Sequence, residues 1–245
     1  MDKLGERGCL LAADYMIAQL KGLNSNFEAA RSGDRVVGVH RVRTTARRLR
    51  EALRLFGGGF PPKRFKRWRN GVRDLRRQLG PARDTDVQIA SLKAHMKRID
   101  GAAKDLYLPG LSRIHLRLRQ TREALLPKVA KILDEFESGG IAAELMEAAQ
   151  AMRDGVSPKA GKAGLSGVRL YFVEQISTRR EALVSTAPCL EDETRWQAHH
   201  EMRIAAKRVR YALEIGDNAW GGKLGGAVKR LKGLQSLLGS VHDCD

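Results

Sequence analysis

Apolar residues recur at spacings of three and four along most of the chain, which is the spacing that one buried face of an α-helix produces. No convincing run alternates apolar and polar residues as a half-buried strand does. The clearest apolar series is Val42, Ala46, Leu49, Leu53 and Phe56. The pattern predicts helices over about 6–30, 40–56, 61–79, 84–99, 111–137 and 141–153, and further helices that start near 168, 196 and 223. We therefore expect an all-α fold.

Glycine and proline residues separate these predicted helices. Three glycines at 57–59 follow the second helix, and Pro61 and Pro62 stand where the next one begins, a position that tolerates proline. Asp84 follows a Leu-Gly-Pro break and is predicted to cap the fourth helix. The stretch DGVSPKAGKAGLSG, residues 154–167, is rich in glycine and is predicted to be a linker.

The composition agrees with a helical protein of one large domain or two small ones. The chain has 245 residues, 42% of them hydrophobic and only 7 of them proline. No apolar run approaches the ~18 residues of a membrane helix, and the N-terminus lacks a signal-peptide pattern. Cys9, Cys189 and Cys244 include no close-spaced pair, which favours idle thiols over a disulfide framework or zinc site. We expect a soluble cytoplasmic protein.

Two blocks of sequence occur twice, in the same order. HEMRIAAKRVRYALEI, residues 200–215, aligns without gaps on residues 40–55, and LQSLLGSVHDCD, residues 234–245, aligns on LRRQLGPARDTD, residues 75–86. This period is too long for a solenoid and predicts a duplicated multi-helix unit, with one repeat in 1–153 and the other in 164–245. The chain stops where a fourth helix of the second repeat should begin, so we expect that repeat to be truncated at its C-terminus.

Basic residues form a second stripe beside each apolar one. On a wheel of about 100° per residue, the basic stripe of the second predicted helix lies roughly 120° from its apolar stripe, so it flanks the core face. The basic stripe of the first copy contains His40, Arg43, Arg47, Arg50 and Arg54. The second copy has His200, Arg203, Lys207 and Arg210, and Glu214 replaces the last basic position. The third predicted helix adds Lys66, Arg69, Arg73 and Arg76, and its counterpart carries Lys229 and Lys232.

The positive charge of the chain is concentrated in these repeated helices. The net charge is +17, yet residues 40–83 alone carry fifteen Lys or Arg against two acids, and residues 195–232 carry nine against three. Like charges at i,i+4 cost a helix on the order of 0.2–0.5 kcal/mol per pair. A solvated arginine face is the alternative to a binding site, but few acids lie nearby in sequence. The pattern favours the binding of an anion.

These residues resemble those of a known family. HRVRTTARRLR with LRRQLGPARDTD, repeated as HEMRIAAKRVRYALE with LQSLLGSVHDCD, is similar to the CHAD family, the conserved-histidine α-helical domain. The resemblance covers essentially the whole chain, which we interpret as one CHAD-like domain over residues 1–245. It implies two four-helix bundles related by pseudo-two-fold symmetry. It also implies a basic cleft at their junction that binds inorganic polyphosphate, and association with polyphosphate granules.

By motif position, the resemblance assigns phosphate ligands to the basic stripes. The ligands that it implies are His40, Arg43, Arg47, Arg50, His200, Arg203, Lys207 and Arg210. The flanking stripe residues Arg54, Arg69, Arg73, Arg76, Lys229 and Lys232 complete the candidate set. Guanidinium forks suit a linear chain of phosphates. Each histidine is expected either to contact phosphate or to orient a neighbouring arginine.

Asp84 and Asp243 occupy matching positions in the two copies, and we expect them to cap a helix and to orient an arginine. Asp84 with Asp86 provides too few carboxylates to predict a metal site. No cofactor is expected.

Two other functions compete with polyphosphate binding. A nucleic-acid binder is the first alternative, since phosphate contacts dominate nucleic-acid affinity as well. Few aromatics accompany the basic stripes, and no helix-turn-helix or zinc-finger spacing occurs. A phosphohydrolase is the second, but the sequence has no P-loop, no nucleophile–base set and no carboxylate cluster for two metals. His95, His115 and His199 are scattered and are expected to be surface or core residues. We therefore expect a non-enzymatic protein.

Overall fold

A computed structural model describes residues 5–32, 35–57, 60–155, 165–192 and 194–242, and within these ranges it contains helices and no strands. The all-α prediction is therefore confirmed. The α-helices are α1 (Gly5–Asn24), α2 (Phe27–Arg31), α3 (Arg35–Phe56), α4 (Pro62–Gln78), α5 (Gly80–Met96), α6 (Ala102–Ala124), α7 (Leu126–Ser138), α8 (Ile141–Asp154), α9 (Leu165–Val184), α10 (Trp196–Gly216) and α11 (Gly225–His242). The short 3₁₀ helices Ala187–Glu191 and Asp217–Trp220 precede and follow α10.

The chain divides into two compact units. We call Met1–Ile17, Glu51–Pro61 and Glu147–Asp245 the terminal unit, and Ala18–Arg50 with Pro62–Met146 the central unit. Helices α1, α3 and α8 therefore contribute residues to both. The predicted division into repeats at 1–153 and 164–245 follows the sequence alignment and stays a prediction.

In the terminal unit, α10 packs between α9 and α11. Val209, Leu213 and Val228 form one buried cluster of this unit. Phe172 on α9 meets Phe56 edge to face, with ring centroids 6.1 Å apart. Phe172 also closely approaches Gly216, where an added Cβ would lie 2.9 Å from its ring. The absence of a side chain at Gly216 therefore lets the aromatic ring reach the end of α10.

In the central unit, α5 packs against α6, and α7 packs against both α2 and α4. Phe27 and Phe136 join α2 to α7 through an edge-to-face contact with centroids 6.1 Å apart. Trp68 of α4 is fully buried, and its indole Nε1 donates to the Glu144 carboxylate of α8 at 2.9 Å. The buried indole thus keeps a hydrogen bond, as aromatic residues with a polar atom usually do in a core.

The apolar stripes predicted from spacing form the core. Every member of the α3 stripe is at most 4% exposed. The apolar residues at the same spacing in α10 are at most 7% exposed, and they are Met202, Ala206, Val209 and Leu213. In α4, Trp68, Val72 and Leu75 are buried together with Leu79 just beyond the helix, whereas Phe65 is partly exposed. Periodicity therefore located the buried faces of α3 and α10 correctly, and most of the buried face of α4.

Several predicted helix boundaries were wrong, and local chemistry explains the differences. The helix predicted over 6–30 is two helices, because the Asn26 side-chain amide donates to the Gly22 carbonyl and ends α1. The helix predicted over 111–137 starts earlier and breaks near Leu125, where Pro127 enters the first turn of α7. Proline has no N–H with which to continue the ladder of α6. The helix predicted from His40 begins five residues earlier, at Arg35.

The structure also bears on the predictions made for the cysteines, for His199 and for membrane-spanning segments. Cys9 and Cys189 are buried free thiols, as expected, and burial raises the pKa of Cys9. Cys244 lies outside the described residues. His199 is a core residue, and its Nε2 lies 2.6 Å from the Cys189 carbonyl oxygen. Over the described ranges, no helix combines the length and the apolarity that a membrane crossing requires.

Candidate anion-binding site

The central unit collects arginines around His40. This histidine lies in the second turn of α3 and not at the N-terminal end of the helix. His40 is exposed, and the remaining desolvation of its ring, together with the charges of Arg83, Arg47, Arg43 and Arg41, lowers its pKa. Each of these cations disfavours a further positive charge on the imidazole.

Arg43 is anchored within the same unit. Its Nη1 donates to the backbone carbonyl of Arg76 in the last turn of α4, at 2.5 Å. Such carbonyls have no partner within their own helix, so the arginine satisfies an acceptor and joins α3 to α4. Burial lowers the pKa of Arg43, Asp84 opposes this change, and Arg76 adds to it.

Gly80 makes room for this guanidinium. A Cβ added at Gly80 would lie 3.3 Å from Nη1 of Arg43 and 3.9 Å from the Asp84 carboxylate. The second copy repeats the arrangement within the terminal unit, where a Cβ at Gly239 would lie 3.5 Å from Cζ of Arg203. The Leu-Gly of each sequence block therefore accompanies an arginine that packs against its glycine. This pairing was not predicted from the sequence.

The predicted cap at Asp84 was wrong. Helix α5 begins at Gly80, its N-cap residue is Leu79, and Asp84 therefore lies beyond its first turn. Pro81 explains this start, since it cannot donate to Arg77 in α4 but is well tolerated at the beginning of a helix. The expectation that Asp84 orients an arginine gains support from its charge interaction with Arg43. Asp243 and Asp245 lie outside the described residues.

Asp86 belongs to a buried ion pair. Arg122 of α6 donates through Nε to Oδ1 of Asp86 at 2.6 Å, and the two side chains are 7% and 1% exposed. The second aspartate of the repeated motif therefore fixes α5 to α6. Within the described ranges, no group of three or more His, Cys, Asp or Glu residues is arranged to hold a metal.

Several predicted ligands already contact a carboxylate. Arg54 donates to Glu51 at 2.8 Å, and Arg73 donates to Asp74 at 3.2 Å. In the second copy, Glu214 lies 3.4 Å from Arg210 and 4.0 Å from Lys232. Glu214 stands at the position that corresponds to Arg54, so the departure of the second copy from the first reduces the positive charge of its stripe.

The predicted ligands fall into two sets, one in each unit. The central unit holds His40, Arg43, Arg47, Arg50, Arg69, Arg73 and Arg76. The terminal unit holds Arg54, His200, Arg203, Lys207, Arg210, Lys229 and Lys232. Within the central set, Arg69 is exposed and Arg47 is half-buried, and the shielded Nε of Arg47 finds no acceptor among the described residues.

Arg83 is a basic residue of this cluster that was not among the predicted ligands. Among the neighbouring charges, that of Arg83 lowers the pKa of His40 most, and it also lowers the pKa of Arg43. The available signal was its place immediately before Asp84, where the second copy has His242 before Asp243. Arg41 was omitted as well, since it lies outside the stripe at helical spacing.

The chain belongs to the CHAD domain family. The sequence model of the CHAD domain matches residues 14–245, which is nearly all of the chain. Among solved structures, the crystal structure of the CHAD domain from the plant Ricinus communis is similar, with a TM-score of 0.61 and 24% sequence identity. The similarity covers 95% of this chain and 73% of the plant chain. The comparison with curated proteins gives no match.

Proposed function

We propose that the protein binds inorganic polyphosphate without catalysing a reaction. The observation that carries this proposal is the cluster in the central unit, where His40 experiences the charges of four arginines. Its positive charge favours a ligand with closely spaced negative charges. Membership of the CHAD family supports the same ligand, since the family is reported to bind polyphosphate.

The chemistry of the stripes fits a linear polyphosphate. Each phosphate unit carries negative charge and offers oxygens to a guanidinium fork, which binds phosphate in a bidentate manner. Arg47 and Arg50 extend the cluster along α3 beyond His40. The expectation that the stripes of both copies face one cleft stays a prediction, and so does the proposed location in the cytoplasm on polyphosphate granules.

Competitive titration tests this proposal. Long-chain polyphosphate, double-stranded DNA and RNA are each titrated into the full chain at several salt concentrations. We expect polyphosphate to bind more tightly than either nucleic acid at each salt concentration, and its affinity to fall as salt rises. Equal or tighter DNA binding at the same salt would contradict the proposal and favour the nucleic-acid alternative.

Incubation with polyphosphate tests the non-catalytic part separately. We expect chain length to stay constant on a gel and no phosphate to be released, because the described residues of the candidate site are arginines and a histidine, with no nucleophile–base set among them. Phosphate release that persists after repurification would overturn this part while leaving the binding measurement interpretable.

A further inference from the structure

Three arginines from three helices line a cavity of about 510 Å³ in the terminal unit. They are Arg54 of α3, Arg179 of α9 and Arg208 of α10, and Glu51 is the acid among the described lining residues. Ala182 and Ala205 also line the cavity, and their small side chains leave its volume open. The lining side chains therefore place three guanidinium groups against one carboxylate.

Arg179 holds a fixed orientation in this cavity. Its Nη1 donates to both the backbone carbonyl and the side-chain Oε1 of Gln175, one helical turn earlier, each at 2.8 Å. Burial lowers the pKa of Arg179, Glu51 opposes this change, and Arg54 and Arg208 add to it. The guanidinium is thus partly desolvated, and it experiences the charges of the other arginines of the cavity.

Glu51 already forms an ion pair with Arg54, one of the three arginines of the cavity. Its carboxylate accepts a hydrogen bond from Arg54 at 2.8 Å, and the Glu51 side chain is only 10% exposed. One carboxylate cannot neutralise three guanidinium groups, so the lining residues keep a net positive charge. An anion inside the cavity would offset that positive charge.

We propose that this cavity binds a short condensed phosphate such as pyrophosphate, at a site distinct from the cluster around His40. Tetrahedral phosphate groups present oxygens in several directions, so they can accept hydrogen bonds from arginines that approach from three helices. A planar carboxylate matches only one guanidinium group in this way. The volume of the cavity accommodates more than one phosphate group. Arg54 belongs to the predicted basic stripe of α3, whereas Arg179 and Arg208 lie outside the predicted stripes. A site built on these two arginines goes beyond the proposed binding of long chains.

Calorimetric titration with pyrophosphate tests the inference. We expect saturable binding to the full chain, weakened by about tenfold or more in Arg179→Met, because the variant removes a charged donor while keeping similar apolar bulk. The matched control is Arg180→Met, which removes an exposed arginine outside the cavity, on the next position of α9. Equal pyrophosphate affinity in the two variants, or no saturable binding to the wild type, would overturn the inference.

A second variant keeps the test decisive if Arg179→Met does not fold. Arg208 is exposed, so Arg208→Met is expected to retain the fold, which its thermal melting curve checks, and to weaken pyrophosphate binding by about tenfold. Long-chain polyphosphate is titrated into the same variants. If pyrophosphate binding falls while long-chain binding stays within about twofold, the two sites are independent. A parallel loss of long-chain affinity in Arg208→Met would show one shared site and contradict the inference.

Discussion

The guanidinium of Arg43 lies against Gly80, with Nη1 3.3 Å from the point that a Cβ would occupy there. Arg203 and Gly239 repeat this relationship in the other sequence copy. A glycine that appeared in the sequence only as a helix break therefore also admits a charged side chain. The same arginine donates to the Arg76 carbonyl, so the contact positions one member of the candidate site.

Gly80→Val should destabilise the protein by about 1–3 kcal/mol, because a branched side chain would displace the Arg43 guanidinium from its position. Urea unfolding followed by circular dichroism measures the change. The control is Gly110→Val, since a Cβ at Gly110 has nothing within 4 Å. If the two variants have equal unfolding midpoints, the close packing at Gly80 has no energetic significance.

Asp86→Asn should cost about 3–5 kcal/mol of stability, because it leaves the buried Arg122 without its carboxylate. The control is Asp74→Asn, which breaks ion pairs with exposed Arg73 and Arg77 and should cost about 1 kcal/mol or less. Chemical denaturation of both variants provides the comparison. A loss at Asp86 no larger than that at Asp74 would contradict the interpretation of a buried structural pair.

Arg47→Glu should weaken the binding of long-chain polyphosphate by about tenfold or more, since it reverses a charge in the arginine cluster. Fluorescence anisotropy with labelled polyphosphate measures this change at constant salt. Arg113→Glu is the matched control, because it makes the same charge change at an exposed position of α6 in the same unit. An equal loss in the control would mean that net charge alone, and not the cluster, determines affinity.

Lys207→Glu should also weaken polyphosphate binding if the stripe of the second copy takes part. The expected loss is about tenfold, and Arg180→Glu of α9 provides the control in the same unit. Unchanged affinity in Lys207→Glu together with a loss in Arg47→Glu would restrict the site to the central unit.

His40 should titrate below the ordinary histidine pKa of 6.5 in the free protein, because desolvation of its ring and Arg83 disfavour its charged form. Polyphosphate should raise that pKa, since a bound anion favours the imidazolium. By linkage, binding should become tighter as pH falls through the titration range of His40. Nuclear magnetic resonance of the His40 ring, with and without polyphosphate, measures both effects.

The same shift has the opposite consequence for folding. A histidine whose pKa is lowered in the native state takes up its proton more readily in the unfolded chain, so its contribution to stability is lost as pH falls below about 6.5. His40→Gln should reduce this loss in urea unfolding at acidic pH. Binding that does not change with pH, in wild type and variant alike, would show that His40 takes no part in the anion site.

The sequence by itself predicted the helical fold and the buried faces of the repeated helices. Val42, Ala46, Leu49, Leu53 and Phe56 could be assigned to the core because local helix geometry alone puts them on one face. The repeated histidine and arginines were visible for the same reason, since their spacing follows from the helix and not from distant contacts. Helix ends were predicted less well, because they depend on single local events: Asn26 donates a side-chain hydrogen bond to Gly22, and Pro127 lacks the N–H that would continue α6.

Tertiary structure alone decided which charged residues are structural partners and which share a cavity. Arg122 of α6 forms an ion pair with Asp86 of α5. Arg179 lines the same cavity as Arg54 and Arg208, although 125 positions separate Arg179 from Arg54 in the sequence. Such neighbours depend on how whole helices pack, and helical spacing carries no information about them. The sequence determined where positive charge is concentrated, and packing determined how burial and neighbouring carboxylates adjust each charge.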